Sequence, residues 1–321
     1  MMSIREASHR VGQWLESPEP PTRLAAVRIG LAALLLIRLC RSTFIGVASQ
    51  PKPLYEPISF MRAFDSMPGR TVVLAVQLVA IAGAALALAG IFVKVTLPAA
   101  WLGSVFLNGM LASMGKVVHN DVLLLLAVVP LLFAPSADVW AMRRPRAAAS
   151  PKASGIYGFP VHAAMLVVAG AYFFAGLAKI ALSGPSWVLS GNIRWALYAS
   201  SDAQSQPNPF ALFVADRPWL SVCVAAATLL LELSFPVVLF KPRLVPLFLA
   251  GALTLHTMIY MTMHLNYWPQ AATVVVVLVN WPRVADRLFA ASPADGSACP
   301  RCRQHPGGSD NARRAPGRRG R

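Results

Sequence analysis

The sequence is poor in charged residues, and acidic residues are the scarcer kind. Asp, Glu, Lys and Arg together make up 13% of the 321 residues, whereas 56% are hydrophobic and the mean hydropathy is +0.55. A soluble domain cannot bury so much apolar surface, but lipid accepts apolar side chains on every face of a helix. The composition therefore excludes an ordinary soluble enzyme and predicts an integral membrane protein.

Cysteine is also rare, and the motifs of several enzyme classes are absent. Cys40 and Cys223 lie in apolar runs, so the four cysteines do not form the framework of a disulfide-rich secreted protein. Cys299 and Cys302 form one C-x-x-C pair with His305 nearby, and a single pair of this kind indicates free thiols rather than a metal site. The chain contains no H-E-x-x-H, no G-x-S-x-G and no glycine-rich phosphate loop. No metal site is predicted.

Apolar residues are gathered in eight runs that predict membrane-spanning helices. Most runs hold the roughly 17–25 residues that a hydrocarbon core of ~30 Å demands. The runs are residues 24–47, 71–93, 95–114, 118–135, 160–182, 218–240, 243–263 and 268–290. Only Lys94 separates the second run from the third, and Asn280, Trp281 and Pro282 shorten the last, so the count lies between seven and nine. The predicted fold class is an all-α, polytopic transmembrane helical bundle of about eight spans.

The segments that flank the predicted bundle, residues 24–290, differ from it in character. Within residues 1–23, apolar side chains from Ile4 to Leu15 fall near one helical face, which predicts a short helix lying in the membrane interface. Prolines in residues 17–22 separate this helix from the first span. Residues 291–321 are rich in Arg, Gly, Pro and Ser, so they are predicted to form a disordered basic tail.

The formal net charge of +16 raises the question of nucleic-acid binding, but the positions of the basic residues argue against it. When residues near the ends of a run are counted with the adjoining segment, nineteen of the 29 lysines and arginines lie on one side of the predicted spans, seven lie on the other, and Arg28, Arg38 and Lys179 lie within them. Such a bias orients membrane proteins with the basic side in the cytoplasm. We therefore expect a multi-pass protein of the cell membrane with both termini cytoplasmic, whose partners are the lipid bilayer and a lipid-soluble small molecule rather than nucleic acid.

Lys179 and Glu232 are ionisable residues inside predicted spans, where each costs about 2.5–3.5 kcal/mol at mid-bilayer. Tyr172, Gly176 and Lys179 share one helical face, and Gly176 would let a neighbouring helix approach. Lys179 is either a proton acceptor in a buried site or a snorkelling side chain near the outer end of its span. Glu232 lies four residues before Pro236, which predicts a kinked helix, and is either the counter-charge of a basic partner or a protonated acid bonded to a neighbouring helix.

Histidines form two further candidate sites. His256, Tyr260 and His264 recur at intervals of four, a stripe of polar and aromatic side chains whose two histidines are too far apart to bind one metal ion. The stripe indicates either a binding site or histidines that are bonded across helices. His119 precedes Asn120 and Asp121 at the start of the fourth run, where either polar residue could simply cap a helix.

The segment Tyr172-Phe-Phe-Ala-Gly176-Leu-Ala-Lys179-Ile, followed by Trp187 and Gly191, resembles a stretch in a known membrane-protein family. Further matching pieces occur in the same order along the chain: residues 20–30 with Arg28, residues 88–92, residues 119–123, residues 231–235 and His256. The family is that of the HTTM-domain proteins, which are related to the membrane portion of vitamin K-dependent gamma-carboxylase. The resemblance extends from about Pro20 to Trp281.

The resemblance implies that Lys179 matches the lysine that deprotonates vitamin K hydroquinone in the carboxylase. The family's other site histidine aligns with His119 or with Asn120, depending on one gap. The carboxylase continues into a large domain outside the membrane, whereas here the sequence continues into a short arginine-rich tail. We therefore do not expect glutamate carboxylation of a protein substrate.

The leading functional hypothesis is a membrane enzyme or redox module that acts on a lipid-soluble, quinone-like molecule, with a vitamin K-like hydroquinone as the implied cofactor. Lys179 is the predicted base. The other candidate catalytic residues are Glu232, His256 and His119, and the candidate cofactor-binding residues are Tyr172, Trp187 and Tyr260. We expect them to border an outward-opening pocket beneath loops 48–70 and 183–217. The alternative is a non-catalytic, transporter-like or scaffold protein that keeps the fold without the chemistry.

Overall fold

The computed structural model describes residues 4–41, 44–114, 119–143, 151–204 and 206–290. Within these ranges the chain is helical, apart from turns, short 3₁₀ segments and one isolated antiparallel bridge between Glu19 and Ser154. The prediction of a disordered tail at 291–321, and the Cys299–Cys302 pair, lie outside the described residues. The α-helices of the described ranges are α1 (Ile4–Leu15), α2 (Pro21–Arg41), α3 (Phe44–Val47), α4 (Arg70–Ala89), α5 (Val93–Ala112), α6 (Val122–Val128), α7 (Gly155–Ser183), α8 (Ser186–Leu189), α9 (Asn192–Asp202), α10 (Pro209–Ala215), α11 (Pro218–Ser234), α12 (Val237–Phe240), α13 (Val245–Met263), α14 (Trp268–Leu278) and α15 (Trp281–Ala290).

Four helices of the described chain are long and apolar enough to cross a membrane: α4, α5, α7 and α13 with its preceding turn. They coincide with the predicted runs 71–93, 95–114, 160–182 and 243–263. Helices α10 and α11 would form a fifth span if they were counted together, but the chain bends by 95° between them. The predicted all-helical fold is therefore confirmed for the described chain, and four of its helices, or five if this bent pair is one span, have the length and composition to cross a membrane.

Helix α2 covers much of the first predicted run and has 21 residues, which corresponds to about 31 Å. It carries four arginines, and three of them have partners on other parts of the chain. Arg23 forms an ion pair with Glu19, and Arg38 forms a two-point ion pair with Asp121 at 2.6 and 2.9 Å. Arg28 is fully buried and donates to the backbone carbonyls of residues 136 and 140. These partners compensate much of the cost of placing charge in an otherwise apolar helix.

Two predicted runs form only short helices. Residues 122–131 make α6 and one 3₁₀ turn, and α14 has 11 residues. Both helices pack against α2 and α7, and they also contact each other. Their buried faces belong to the main hydrophobic core, through Leu124, Val128, Val274 and Val277 among others. Asn280 and Trp281 follow the end of α14, in agreement with the predicted shortening of the last run.

The break between α4 and α5 corrects one predicted boundary. Lys94 lies inside the first turn of α5, and the chain reverses at residues 90–92 instead. Gly90 has a φ of 77° and ends α4 by donating its N–H to Ala87, while Phe92 has a φ of 48° at the start of α5. A Cβ atom at Gly90 would also lie 2.5 Å from the Cβ of Ala141, so glycine is required there for two reasons. A single lysine is not a helix breaker, whereas two left-handed residues are.

The predicted N-terminal helix is present as α1, and a proline-containing segment separates it from α2. The ring of Trp14 packs against His162 of α7 at 4.8 Å.

The predicted loop 183–217 is largely helical, since it contains α8, α9 and α10. Asn208 caps α10 and donates to the carbonyls of Met261 and Thr262, which attaches this segment to the end of α13.

The contacts divide the chain into a unit that ends at Pro282 and a second that begins at Arg283. Of the second unit the structure describes residues 283–290, which are helical.

Candidate functional site

Lys179 of α7 and Glu232 of α11 form an ion pair. The Nζ atom lies 2.7 Å from Oε1 and 2.8 Å from Oε2 of the carboxylate. The glutamate side chain is 8% exposed and the lysine side chain 25% exposed, so the pair is neither fully enclosed nor directed only at the surface. The two helices approach closely because Gly176 has no side chain, and a Cβ atom there would lie 3.0 Å from the Cβ of Glu232. The carboxylate thus has the basic partner that was one of the two predicted alternatives.

The position of Glu232 follows from the proline that comes after it. Helix α11 ends at Ser234, and α12 begins only at Val237, so the predicted kink is a break in the helix. Pro236 has no N–H to donate, and Phe235 makes only a long 3.4 Å hydrogen bond to the carbonyl of Glu232. The carboxylate therefore lies in the last turn of α11, where the chain direction changes.

A second polar pair joins α7 to α13. The hydroxyl of Tyr172 lies 2.8 Å from Nε2 of His256, and the tyrosine ring is stacked on Phe235 at 4.1 Å. Nδ1 of His256 is buried and has no hydrogen-bond partner among the described residues. Buried polar atoms are generally hydrogen-bonded, so an unpartnered one beside a cavity is a position where a ligand group can bind. Depending on its tautomer, this nitrogen offers either a donor or an acceptor.

Both pairs line the same cavity, which has a volume of about 360 Å³. The rest of its wall is mainly apolar, with contributions from α7, α13 and the segment that joins α13 to α14. His119 lies exposed at this cavity, where its Nε2 is 3.3 Å from the hydroxyl of Tyr267 and its carbonyl accepts from Gln270. The structure thus brings five predicted residues together at one cavity: Lys179, Glu232, Tyr172, His256 and His119.

A second cavity of about 240 Å³ adjoins the first and shares Lys179 and Glu232 with it. Its other lining residues are apolar apart from two threonines, and several come from the segment 187–214. The ring of Trp187 lies 5.3 Å from Nζ of Lys179, a cation–π distance. The prediction that residues 183–217 would cover the site therefore agrees with this cavity, whereas residues 48–70 are not among those that line either cavity.

Tyr260 lines neither cavity, although it was predicted as a cofactor-binding residue. Its side chain is 53% exposed, and its ring faces His264 at 6.2 Å. His264 has a φ of 52° at the end of α13, and it lines neither cavity. The cavity follows Leu255, Ile259 and Met263 along α13, which are the positions one residue before His256, Tyr260 and His264, so the periodicity of four selected a face of the helix that only borders the cavity at His256.

Several relationships around the site have no counterpart in the sequence-based prediction. Asp121 does not cap α6 with its side chain but pairs with Arg38, and Asn120 donates to the carbonyl of Asn266. Tyr267 and Gln270 reach His119 from the far end of the chain. The sequence signalled the Arg38–Asp121 pair only in that each of these charged residues lies in an otherwise apolar run.

Among the described residues, no group of three His, Cys, Asp or Glu is placed to hold a metal ion.

Comparison of the chain with protein-family models, with curated proteins and with solved structures found no match.

Proposed function

We propose that this chain is a membrane protein that binds a lipid-soluble, quinone-like molecule and removes a proton from its reduced form. The observation that carries the proposal is that the Lys179–Glu232 pair and the Tyr172–His256 pair line one cavity with otherwise mainly apolar walls. Ligand sites typically combine apolar walls with a few convergent polar groups, in clefts of about 300–1,000 Å³. The neighbouring apolar cavity beside Trp187 offers further surface for the hydrophobic part of such a ligand.

The proton transfer involves the Lys179–Glu232 pair as a unit. Lysine accepts a proton only when it is neutral, which requires that the proton shared by the pair lies on Glu232 at that moment. The hydroquinone O–H bond then breaks, and its proton moves to Nζ of Lys179. The products are a hydroquinone anion, a lysine cation and a protonated Glu232, so charge and protons balance. The lysine cation is left facing the new anion and stabilises it electrostatically.

The HTTM family and the count of about eight membrane segments belong to the same proposal. The internal ion pairs and hydrogen bonds of Arg23, Arg28 and Arg38 support a membrane position for α2. Helices α6 and α14 are too short to cross a bilayer alone and would span only part of its thickness. The family resemblance supports the role of Lys179, since the matched lysine is the base.

The rival proposal, a non-catalytic transporter-like or scaffold protein, differs in what it expects of Lys179. A lysine that served only as an anchor would extend towards the lipid headgroups without a titratable neighbour. The contact with Glu232 and the shared cavity with His256 favour a site over an anchor.

Menadiol, a reduced naphthoquinone, is a suitable probe for the full-length protein in lipid nanodiscs. We expect it to bind and to show the absorbance of its anion at a pH where free menadiol is neutral. Lys179→Arg should bind menadiol without ionising it, because arginine stays protonated. Lys241→Arg, at an exposed lysine outside both cavities, is the matched control and should behave as wild type. Ionisation in the Lys179→Arg variant would contradict the lysine base, and absence of menadiol binding to the wild type would contradict the quinone-like ligand.

A further inference from the structure

A cleft of about 330 Å³ lies between the start of α5 and the segment that follows α6. Its walls are residues 92–95 on one side and residues from 134 to 143 on the other. It shares no lining residue with the two cavities at Lys179. Nothing in the proposed function uses this cleft.

The wall formed by residues 134–143 is held in place by side chains from other helices. Arg28 of α2 donates to the carbonyl of Ser136 at 2.5 Å and to that of Trp140 at 2.6 Å. The hydroxyl of Tyr157 in α7 donates to Asp138 at 2.7 Å, and the N–H of Met142 donates to the carbonyl at the end of α4 at 2.9 Å. The cleft is therefore a preorganised feature of the fold rather than a gap beside a loosely attached loop.

The charges in the cleft favour an anion. Lys94 and Arg143 both line it, and neither has a salt-bridge partner among the described residues. Asp138 is the carboxylate in the lining, and it already accepts the hydrogen bond from Tyr157. The guanidinium of Arg143 lies over the ring of Phe92 at 4.2 Å, which positions it at the edge of the cleft.

The surface around these two cations is apolar. Phe92 is 58% exposed and Val95 is 69% exposed, and both belong to the cleft. Phe133, next to the cleft wall in sequence, is 87% exposed. A free phosphate would leave these side chains in water, whereas a lipid would cover them with its acyl chains while its headgroup met the cations.

We propose that this cleft is a binding site for the phosphate headgroup of an anionic membrane lipid. Lys94 and Arg143 bind the phosphate oxygens, and the exposed side chains of Phe92, Val95 and Phe133 contact the acyl chains. The site is independent of the quinone-like ligand, so neither proposal depends on the other.

The test uses the full-length protein in nanodiscs of phosphatidylcholine alone or of phosphatidylcholine with phosphatidylglycerol. Native mass spectrometry counts the phosphatidylglycerol molecules that stay bound, and thermal unfolding reports the accompanying stabilisation. Because each basic residue near an anionic lipid contributes about fivefold, Lys94→Gln/Arg143→Gln should bind phosphatidylglycerol about 30-fold more weakly. The matched control is Lys241→Gln/Arg243→Gln, which removes two exposed basic residues at the turn before α13 and should retain the lipid.

Three further measurements make the outcome decisive. Thermal unfolding of each variant in phosphatidylcholine alone reports whether that variant is folded. The variant Lys94→Arg/Arg143→Lys keeps both positive charges and should therefore retain phosphatidylglycerol. An equal loss in the two glutamine variants would mean a diffuse attraction to basic residues and would overturn the proposal. Equal stabilisation by inorganic phosphate in phosphatidylcholine nanodiscs would overturn the assignment to a lipid.

Discussion

Lys179 and Glu232 are 53 positions apart in the sequence, and both carboxylate oxygens of the glutamate lie within 2.8 Å of the lysine Nζ. The lysine is on α7 and the glutamate is in the last turn of α11. From the sequence, the two residues are separate polar interruptions of apolar runs. In the structure each provides the other's counter-charge, so the effect of changing either one depends on the other.

The ion pair determines what we expect of Lys179→Met. In an isolated span, removing a membrane-embedded cation should be harmless or favourable. Here the change leaves the carboxylate of Glu232 buried without its partner, so we expect Lys179→Met to lower the thermal unfolding temperature. Glu232→Gln in the Lys179→Met background should recover most of this loss, with a coupling free energy of about 0.5–3 kcal/mol.

The double-mutant cycle is measured by thermal unfolding of the four proteins in one detergent. Simple additivity of the two single effects would show that the pair contributes nothing to stability, and would leave Lys179 as an anchor at the membrane surface.

Gly176 should be sensitive to the smallest enlargement of its side chain. A Cβ atom there would lie 3.0 Å from Glu232 and 3.1 Å from Leu233, so Gly176→Ala requires these side chains to shift by a few tenths of an ångström, and we expect the shift of Glu232 to weaken the ion pair. Gly170→Ala, six residues earlier on α7, is the matched control, because its nearest neighbour would be Phe174 at 3.8 Å. We expect the unfolding temperature to fall for Gly176→Ala and to stay level or rise for Gly170→Ala, since alanine favours a helix over glycine. Equal behaviour of the two variants would be inconsistent with close packing at Gly176.

Helix type and membrane character could be predicted because they depend on local patterns. The runs that became α4, α5, α7 and α13 are apolar on all sides, and that property is visible in any window of about twenty residues. The face shared by Tyr172, Gly176 and Lys179 could likewise be derived from the helical period. The break before α12 followed from Pro236, which affects only its own turn.

Pairings between helices could not be predicted in the same way. Periodicity shows which residues share a face, but it does not show which face of another helix packs against it. Hence a basic partner was only one of two alternatives for Glu232 and was not identified, and the Tyr172–His256 and Arg38–Asp121 contacts were not predicted. Arg28 is a further case, because its partners are backbone carbonyls that no sequence pattern indicates.

The attachment of α1 to α7 should depend on pH through Glu19. Burial opposes ionisation of this carboxyl group, but hydrogen bonds and charges from His162 and Arg23 hold its pKa below the usual 4.5. His162 also contacts the carbonyl of Leu15 through Nδ1 at 3.2 Å, so one ring connects the end of α1 to Glu19. A carboxyl group with a lowered folded-state pKa stabilises the protein above its unfolded-state pKa, and this contribution disappears as the pH falls through the folded-state value.

Glu19→Gln should therefore be less stable than wild type at pH 6, and the difference should shrink as the pH is lowered below about 4.5. The measurement is the thermal unfolding temperature of both proteins as a function of pH. Glu16→Gln, at an exposed glutamate on the preceding turn of chain, serves as the control and should show no such trend. A wild-type advantage that stayed constant down to pH 3 would refute the role assigned to the Glu19 carboxylate.

The distribution of basic residues makes a prediction about orientation that labelling can test. Nineteen of the 29 lysines and arginines lie on the side of the predicted spans that holds both termini, so this side should face the cytoplasm.

Ala203 is exposed at the end of α9, on the side predicted to lie outside, and a cysteine there should react with a membrane-impermeant maleimide in intact cells. A cysteine at Met142, which is 80% exposed beside the cleft after α6, or at position 310 should react only after the membrane is permeabilised. The four native cysteines are replaced by serine beforehand, so that only the introduced thiol can react. Positions 142 and 310 are predicted to lie on the same side, after the fourth and the eighth run, so labelling of position 142 from outside while position 310 stays protected would rule out the eight-segment arrangement. Labelling of both from outside would instead preserve the arrangement and invert it in the membrane.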